Sequence, residues 1–236
     1  MPVALSPPDL ANAVTSVCTI GAGVTTLAFG RWVGRHPARW MFVYFCLFLT
    51  GLPTLGWHGW GVVAPDWTRD GWQVADIASN LLLAWSVQLA VAGDFHGPRM
   101  VRRILWGSGA VNLAAVLWMV REAVVGTKVH WIPLGEFGGF YAGEAVLIAD
   151  AVLAVGLFYA ARARIAAEAK PLLHAVTAIF LVGLGLATAD GDVVAGRVDS
   201  LHALWHVLGS FGFLFLWAFT EVRLRAEARR GGGGTT

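Results

Sequence analysis

Long apolar stretches separated by short polar segments make up most of the chain. Seven of these stretches have the length of about 17 to 25 residues that a helix needs to cross a bilayer. The pattern predicts spanning helices at 11–30, 41–60, 73–93, 104–121, 133–160, 171–189 and 200–221. The connections are too short for a soluble domain. We therefore predict one all-α domain over residues 1–230, a bundle of seven transmembrane helices, and a flexible glycine-rich tail at 231–236.

Composition supports the membrane assignment. Hydrophobic residues make up 57% of the 236 residues and charged residues 14%, whereas about a quarter of the residues of a soluble domain are charged. The formal net charge is +2, and no dense basic block is present, so we expect no nucleic-acid partner. Cys18 and Cys46 both fall in apolar stretches, and we expect no disulfide between them. The composition indicates an integral, multi-pass membrane protein.

The basic residues are distributed unevenly between the two sides of the predicted bundle. Thirteen of the 17 lie at 31–39, 99–103, 162–170 and 223–230, and only four lie on the opposite side: Arg69, Arg121, Lys128 and Arg197. The positive-inside rule then places the N-terminus outside and the C-terminus in the cytoplasm. Trp32 and Trp40 fall at predicted inner boundaries, where we expect them to anchor the helices at the interface.

Two histidines open the last predicted helix. His202 and His206 are four residues apart and therefore lie on one helix face, where they can bind one metal ion from the same side. No glutamate lies between them, so a general base has to come from another helix. The spacing alone is weak support for a metal site, because packed structural histidines also occur. An ionisable side chain inside a membrane span nevertheless favours a functional role.

Three further polar residues are expected at the same depth. The second helix runs outward and carries Thr54 and His58 on one face near its end. The third helix runs back into the membrane with Asp76 about one turn inside it, and the last helix enters from the same side. We therefore expect Thr54, His58, Asp76, His202 and His206 to converge near the non-cytoplasmic leaflet.

The expected cluster has the composition of a hydrolytic metal site. Three imidazoles with an open fourth position are a usual ligand set of catalytic zinc. Asp76 can orient a metal-activated water and accept its proton. The Thr54 hydroxyl can donate to the oxyanion that forms when water attacks a carbonyl, or it can bond only to its own helix backbone.

In these motifs the chain resembles the alkaline ceramidases of the CREST superfamily. The resemblance rests on Thr54 to His58, on Asp76 early in the next helix, and on the string His202-Ala203-Leu204-Trp205-His206. It implies a seven-span, Zn²⁺-dependent hydrolase that cleaves the amide bond of a ceramide-like lipid. The implied roles are zinc ligation by His58, His202 and His206, partnership of Asp76 with the zinc-activated water, and oxyanion donation by Thr54.

The chain departs from that family in two ways. The family usually has serine where Thr54 stands, and the added methyl group can alter the pocket. Animal ceramidases also carry an acidic calcium-binding N-terminal segment, whereas Asp9 is the one acidic residue among the first 30 here. The resemblance therefore does not extend to calcium.

Other functions remain open at the level of sequence. A lipid receptor or a lipid-remodelling esterase of the same superfamily could retain the zinc site, and a haem-binding membrane protein is a weaker alternative because His202 and His206 share one face. A retinal pump is excluded because no lysine follows Lys170. Three acids are assigned to the fifth helix: Glu136, Glu144 and Asp150. They either line a substrate cavity, bind the head group of a substrate, or form structural pairs with other residues.

Overall fold

The computed structural model of the protein describes residues 7–63, 65–126, 131–133, 139–188 and 201–232. Within these ranges seven helices are long and apolar enough to cross a membrane. The prediction of an all-α, seven-span membrane protein is therefore confirmed. The orientation of the bundle stays a prediction of the charge distribution.

The helices alternate with short connections. Their bounds are Pro7–Val33 (α1), Ala38–Gly59 (α2), Asp66–Phe95 (α3), Pro98–Val125 (α4), Ala142–Ala160 (α5), Lys170–Thr188 (α6) and Leu201–Gly232 (α7). One π-helical turn, Ile104–Ser108, lies inside α4. Short 3₁₀ turns occur at Gly61–Val63 and Ala167–Ala169.

The predicted start of the fifth helix at residue 133 is wrong. Trp131–Pro133 and Gly139–Tyr141 instead pair as two antiparallel strands, and α5 begins only at Ala142. Apolar composition made this stretch resemble a span, but proline and glycine both disfavour a helix interior. Glu136 lies outside the described residues.

Several other helices extend beyond the predicted bounds, and the extensions of α3 and α7 change the place of predicted residues. The predicted start of the third helix was residue 73, but α3 begins at Asp66 after Pro65, so Asp76 lies about three turns inside it rather than one. The last helix was predicted to end at 221 but continues to Gly232, which includes the first two residues of the expected tail. Pairs four residues apart, Glu221 with Arg225 and Arg223 with Glu227, support this extension. Residues 233–236 of the tail lie outside the described part of the chain.

Close packing joins α1 to its neighbours. It lies against α2 and α7, while α2 contacts α3, α3 contacts α4 and α5, and α6 contacts α7. A Cβ atom on Gly23 would lie 2.5 Å from the Cα of Phe48, and one on Gly51 would lie 2.5 Å from Ile20 Cγ1. Small residues allow this approach between helices in a bilayer, where the lipid provides little hydrophobic drive for association.

The two ends of the bundle carry different polar groups. His58 in the last turn of α2 and His202 at the start of α7 mark what we call the histidine end. Arg39, Asp94 and Arg223 mark the opposite, arginine end. Trp40 is not an interface anchor, because it is fully buried at the arginine end and donates from Nε1 to Asp94 at 2.8 Å. Trp32, by contrast, is 79% exposed.

Candidate metal centre

Three histidines from two helices converge at the histidine end. The ring centroids of His58 lie 5.1 Å from those of His202 and His206, and the latter two are 4.8 Å apart. One potential ligand nitrogen from each ring lies within 4.8 Å of the others. His58 and His206 are each 6% exposed. The arrangement is a compact group of imidazoles, in which His58 and His206 are buried and His202 is partly buried.

The hydrogen bonds of His206 leave one of its nitrogens available. Its Nδ1 lies 3.2 Å from Thr15 Oγ1 and 3.4 Å from Ser16 Oγ. Each of these hydroxyls donates its hydrogen to a carbonyl of α1, at 2.8 Å from Ala11 O and 2.7 Å from Asn12 O. The hydroxyl oxygens therefore accept from Nδ1–H, and this tautomer leaves the Nε2 lone pair of His206 free to bind a metal.

His58 gives a second indication of a ligand. Its Nε2 is buried and has no hydrogen-bond partner among the described residues. A buried polar atom without a partner is costly, and a metal ion in the triad would satisfy it. With Zn–N bonds of 2.0 to 2.1 Å, tetrahedral geometry places ligand nitrogens about 3.4 Å apart. The three nitrogens lie close enough to reach that spacing with small side-chain adjustments, so the residues present fit zinc.

A hydrogen-bonded hydroxyl and carboxylate stand at the same end of the bundle. Thr54 Oγ1 donates to Asp76 Oδ1 at 2.5 Å and also lies 2.8 Å from the carbonyl oxygen of Thr50. Asn80 Nδ2 lies 3.3 Å from the same carboxylate oxygen and 3.0 Å from the main-chain oxygen of Asp76. These bonds hold the Asp76 carboxylate in one orientation.

One cavity connects these groups. Its empty volume is about 1360 Å³, including the part open to the surroundings, and its walls come mainly from α2, α3, α5, α6 and α7. The polar wall includes Thr54, Asp76, Asn80, His202 and His206. The remaining wall is mostly apolar and extends to Leu173 and Leu216, toward the arginine end. The cavity therefore suits a molecule with a polar group near the histidines and a long apolar part.

All five predicted site residues are brought together, but the two described acids of the fifth helix, Glu144 and Asp150, separate. Glu144 lines the cavity. Asp150 does not, because it contacts Ser108 and Asn112 of α4 instead. His174, near the start of α6, is hydrogen bonded through Nδ1 to the Tyr159 hydroxyl at 2.8 Å.

The contribution of α1 was missed by the sequence interpretation. Asn12, Thr15, Ser16 and Thr19 form a polar stripe at helical spacing on an otherwise apolar helix. Thr19 lines the cavity, and its Oγ1 lies 3.3 Å from Ser210 Oγ of α7. The stripe is a signal that was available in the sequence, because polar residues in a spanning helix favour contact with other polar groups.

Protein-family models, curated proteins and solved structures were all compared with the chain, and none of them matches it. The assignment of function therefore rests on the geometry of this site and on the ordered motifs of α2, α3 and α7.

Proposed function

We propose that the protein is a zinc-dependent intramembrane hydrolase that cleaves the amide bond of a ceramide-like lipid. One observation carries the proposal. Three imidazoles converge, two of them buried and one partly buried, and His202 and His206 line a largely apolar cavity whose wall also carries a carboxylate bonded to a hydroxyl. The order of the motifs along the chain, which resembles that of alkaline ceramidases, supports the amide as the bond that is cleaved.

The three histidines have the role of metal ligands in this proposal. When bound, zinc supplies a Lewis acid that polarises a carbonyl and makes water nucleophilic at neutral pH. Thr15 and Ser16 keep His206 in the tautomer whose Nε2 can bind the metal. A metal bound by the three histidines would also compensate the charge of Asp76, which is costly to bury uncompensated in a bilayer.

Asp76 is the proposed general base. Thr54 and Asn80 both donate to its Oδ1, and no donor among the described residues is bonded to its Oδ2. That second oxygen can accept the proton of the attacking water and later return it to the leaving amine. The hydrogen bonds to Oδ1 fix the orientation of the carboxylate, which is what positioned proton transfer requires.

The contacts of Thr54 favour a positioning role. Its single hydroxyl hydrogen is already directed to Asp76 and to the carbonyl of Thr50. Donation to an oxyanion would require this hydroxyl to turn away from Asp76 during the reaction. We therefore propose that Thr54 holds Asp76, and the oxyanion role stays a prediction.

The apolar part of the cavity is the proposed site of the acyl chain. Burial of a methylene group is worth about 0.8 kcal/mol against water, but the bilayer already supplies most of this to the free lipid. Chain length should therefore act mainly through the position of the carbonyl, and long-chain substrates should have the higher turnover rate. The distribution of basic residues places the histidine end at the non-cytoplasmic leaflet.

The geometry favours a metal ion over haem. Axial histidines face each other across a flat macrocycle, whereas the three rings here have centroids within 5.1 Å of one another. The distance between the imidazole rings is too short for a haem macrocycle to lie between them. A lipid receptor and a lipid-remodelling esterase share the proposed zinc site, so an activity assay has to separate them from an amidase.

The deciding experiment is hydrolysis by the purified full-length protein. The substrates are a long-chain ceramide, its short-chain counterpart and an ester of the same acyl chain, each with and without a zinc chelator. We expect release of the long-chain fatty acid from the amide, loss of release on chelation and recovery on addition of zinc. His174→Ala is the matched control, because it removes a histidine that lies away from the cluster.

Three results would overturn the proposal. Cleavage of the ester alone would indicate the lipid-remodelling alternative. Equally fast cleavage of the short-chain amide would contradict the role of the cavity. If the zinc-loaded protein cleaves none of these substrates, the receptor function is favoured instead.

A further inference from the structure

A second buried polar cluster lies between α3, α4 and α5. The Asp150 carboxylate, near the middle of α5, accepts from Ser108 Oγ at 2.8 Å and from Asn112 Nδ2 at 2.7 Å. Gln88 of α3 donates from Nε2 to the main-chain oxygen of Asp150 at 3.0 Å. Asp150, Asn112 and Gln88 are 6%, 8% and 0% exposed. None of the four residues lines the histidine cavity.

A π-helical turn helps to form this cluster. Ser108 is the last residue of the turn Ile104–Ser108, and Asn112 follows four residues later on the same face of α4. π-helical turns inside α-helices are frequent at functional sites, because they change the direction of the following side chains. Here both α4 side chains reach the two oxygens of one carboxylate.

The orientation of both amide groups is fixed by their acceptors. Asn112 and Gln88 can bond to Asp150 only through nitrogen, because a carboxylate and a main-chain carbonyl both accept hydrogen bonds. Each amide oxygen is therefore turned away from its own bond. Gln88 Oε1 and Asn112 Oδ1 are buried and have no donor among the described residues. Because the oxygen and nitrogen of an amide are only about 2.3 Å apart, Asn112 Oδ1 lies within about 5 Å of the Asp150 carboxylate and Gln88 Oε1 within about 5 Å of the main-chain oxygen of Asp150.

Within the described part of the chain, the cluster also lacks a compensating positive charge. The partners of the Asp150 side chain are a hydroxyl and an amide, and no basic side chain of the described residues forms an ion pair with it. A carboxylate in a membrane span is costly without such a partner. Two unpaired acceptor oxygens beside an uncompensated carboxylate make a group of oxygen ligands that would bind a cation.

The charge and ligand count point to a monovalent ion. Sites for calcium use six to eight oxygens, usually with several carboxylates, and a divalent ion here would leave one uncompensated positive charge. A single carboxylate is neutralised by one monovalent cation. We propose that Asp150, Gln88 and Asn112 form an intramembrane binding site for a sodium-sized monovalent cation, separate from the histidine cavity. A buried water could satisfy the two amide oxygens, but it would not neutralise the carboxylate.

Thermal unfolding of the purified full-length protein in detergent tests this site. Sodium chloride is replaced by choline chloride at constant ionic strength, so that general screening does not change. A cation that binds the folded state raises the unfolding temperature with its concentration. We expect a rise of about 5 to 10 °C when sodium is about a hundredfold above its dissociation constant.

Two variants should abolish the sodium effect. Asp150→Asn removes the charge and keeps the shape, while Gln88→Met removes one amide oxygen and keeps the charge. Gln73→Met is the matched control, because Gln73 is also a buried α3 glutamine with an unpaired amide atom, Nε2, yet it is not bonded to Asp150. This variant should keep the full sodium effect.

The outcomes separate the two interpretations. Loss of the sodium effect in Gln88→Met, with the effect retained in Gln73→Met, supports the site even if Asp150→Asn does not fold. An unfolding temperature that is the same in sodium and choline would show that the cluster holds water only. The test needs no hydrolytic activity, so its outcome is independent of the proposed function.

Discussion

Both ends of the bundle bury ionisable side chains, but the partners of these side chains differ between the two ends. At the arginine end, Asp94 accepts from Arg39, Trp40 and Arg223. In the same region Glu221 contacts Arg35, His36 and Arg225. At the histidine end the buried imidazole of His58 has an unpaired Nε2, and the neighbouring groups line a cavity.

This difference distinguishes structural from functional burial of polar groups. The acids of the arginine end are compensated by basic side chains, so they need no ligand. The three imidazoles of the histidine end each bring one potential ligand nitrogen within 4.8 Å of the others, an arrangement that packing alone does not require. Variants at one end should therefore change activity, and variants at the other should change stability.

The largest effect is expected for Asp76→Asn. The amide is nearly isosteric with the carboxylate, and its oxygen can still accept from Thr54 and Asn80, so fold and metal content should be retained. It cannot accept the proton of water, and loss of a general base costs about 10² to 10⁴ in rate. Turnover of purified protein under saturating substrate measures this loss. Near wild-type turnover would assign the base to another residue.

The second prediction concerns the arginine end. Asp94→Ala leaves Arg223 buried without its main partner, and removal of one member of a buried ion pair costs about 3 to 5 kcal/mol. For a chain of this size that corresponds to a fall of about 6 to 20 °C in unfolding temperature. Glu227→Ala is the matched control, since Glu227 contacts the same arginine but is half exposed, and it should change stability by less than about 1 kcal/mol. Equal effects of the two variants would contradict the buried pairing.

Thr54 provides a smaller and more specific test. A hydrogen bond to a charged group is worth about 1.5 to 3 kcal/mol, so Thr54→Val should lower turnover by about 10- to 100-fold. Thr54→Ser keeps the hydroxyl and should keep most of the rate. Both variants should keep their metal. A Thr54→Val enzyme as active as Thr54→Ser would contradict a role of the hydroxyl in holding Asp76.

The smallest predicted effect is a pH dependence at His36. Burial lowers the pKa of His36 below its ordinary value of 6.5, and the hydrogen bond and charge of Glu221 offset only part of this. The neutral ring donates from Nε2 to Glu221 at 3.1 Å and accepts at Nδ1 from the Tyr44 hydroxyl at 3.0 Å. Nearby Arg35 and Arg223 also disfavour a charged ring.

The sign of that dependence follows from proton linkage. Below about pH 6.5 the unfolded state binds a proton that the folded state resists, so stability falls as the pH drops toward the lowered pKa. His36→Gln can keep both hydrogen bonds without titrating. The difference in unfolding temperature between wild type and variant should therefore change between pH 7.5 and 5.5. A constant difference would show that His36 does not contribute to acid destabilisation.

Sequence alone predicted the elements that bring the site together. The spans are long and apolar, and the polar residues of α2, α3 and α7 stand out because such residues are rare in membrane helices. Their common depth follows from the alternating direction of successive spans. For this reason the sequence predicts that Thr54, His58, Asp76, His202 and His206 converge.

The features that were missed depend on contacts between distant segments. No local pattern shows that Thr15 and Ser16 reach His206 across the α1–α7 interface, or that Trp40 is buried against Asp94. The start of α5 was misplaced because hydropathy does not distinguish an apolar hairpin from an apolar helix. The π-helical turn, whose last residue Ser108 contacts Asp150, was likewise not predicted from the sequence.

The most direct test of the metal centre is the metal content of gently purified protein. Elemental analysis should find about one zinc per chain in the wild type and in Asp94→Ala, which leaves the histidine end intact. The double variant His202→Ala/His206→Ala should contain almost none, because it removes two of the three ligands. Absence of any transition metal from the wild type, or equal metal in the double variant, would contradict the assignment of His58, His202 and His206 as a metal site.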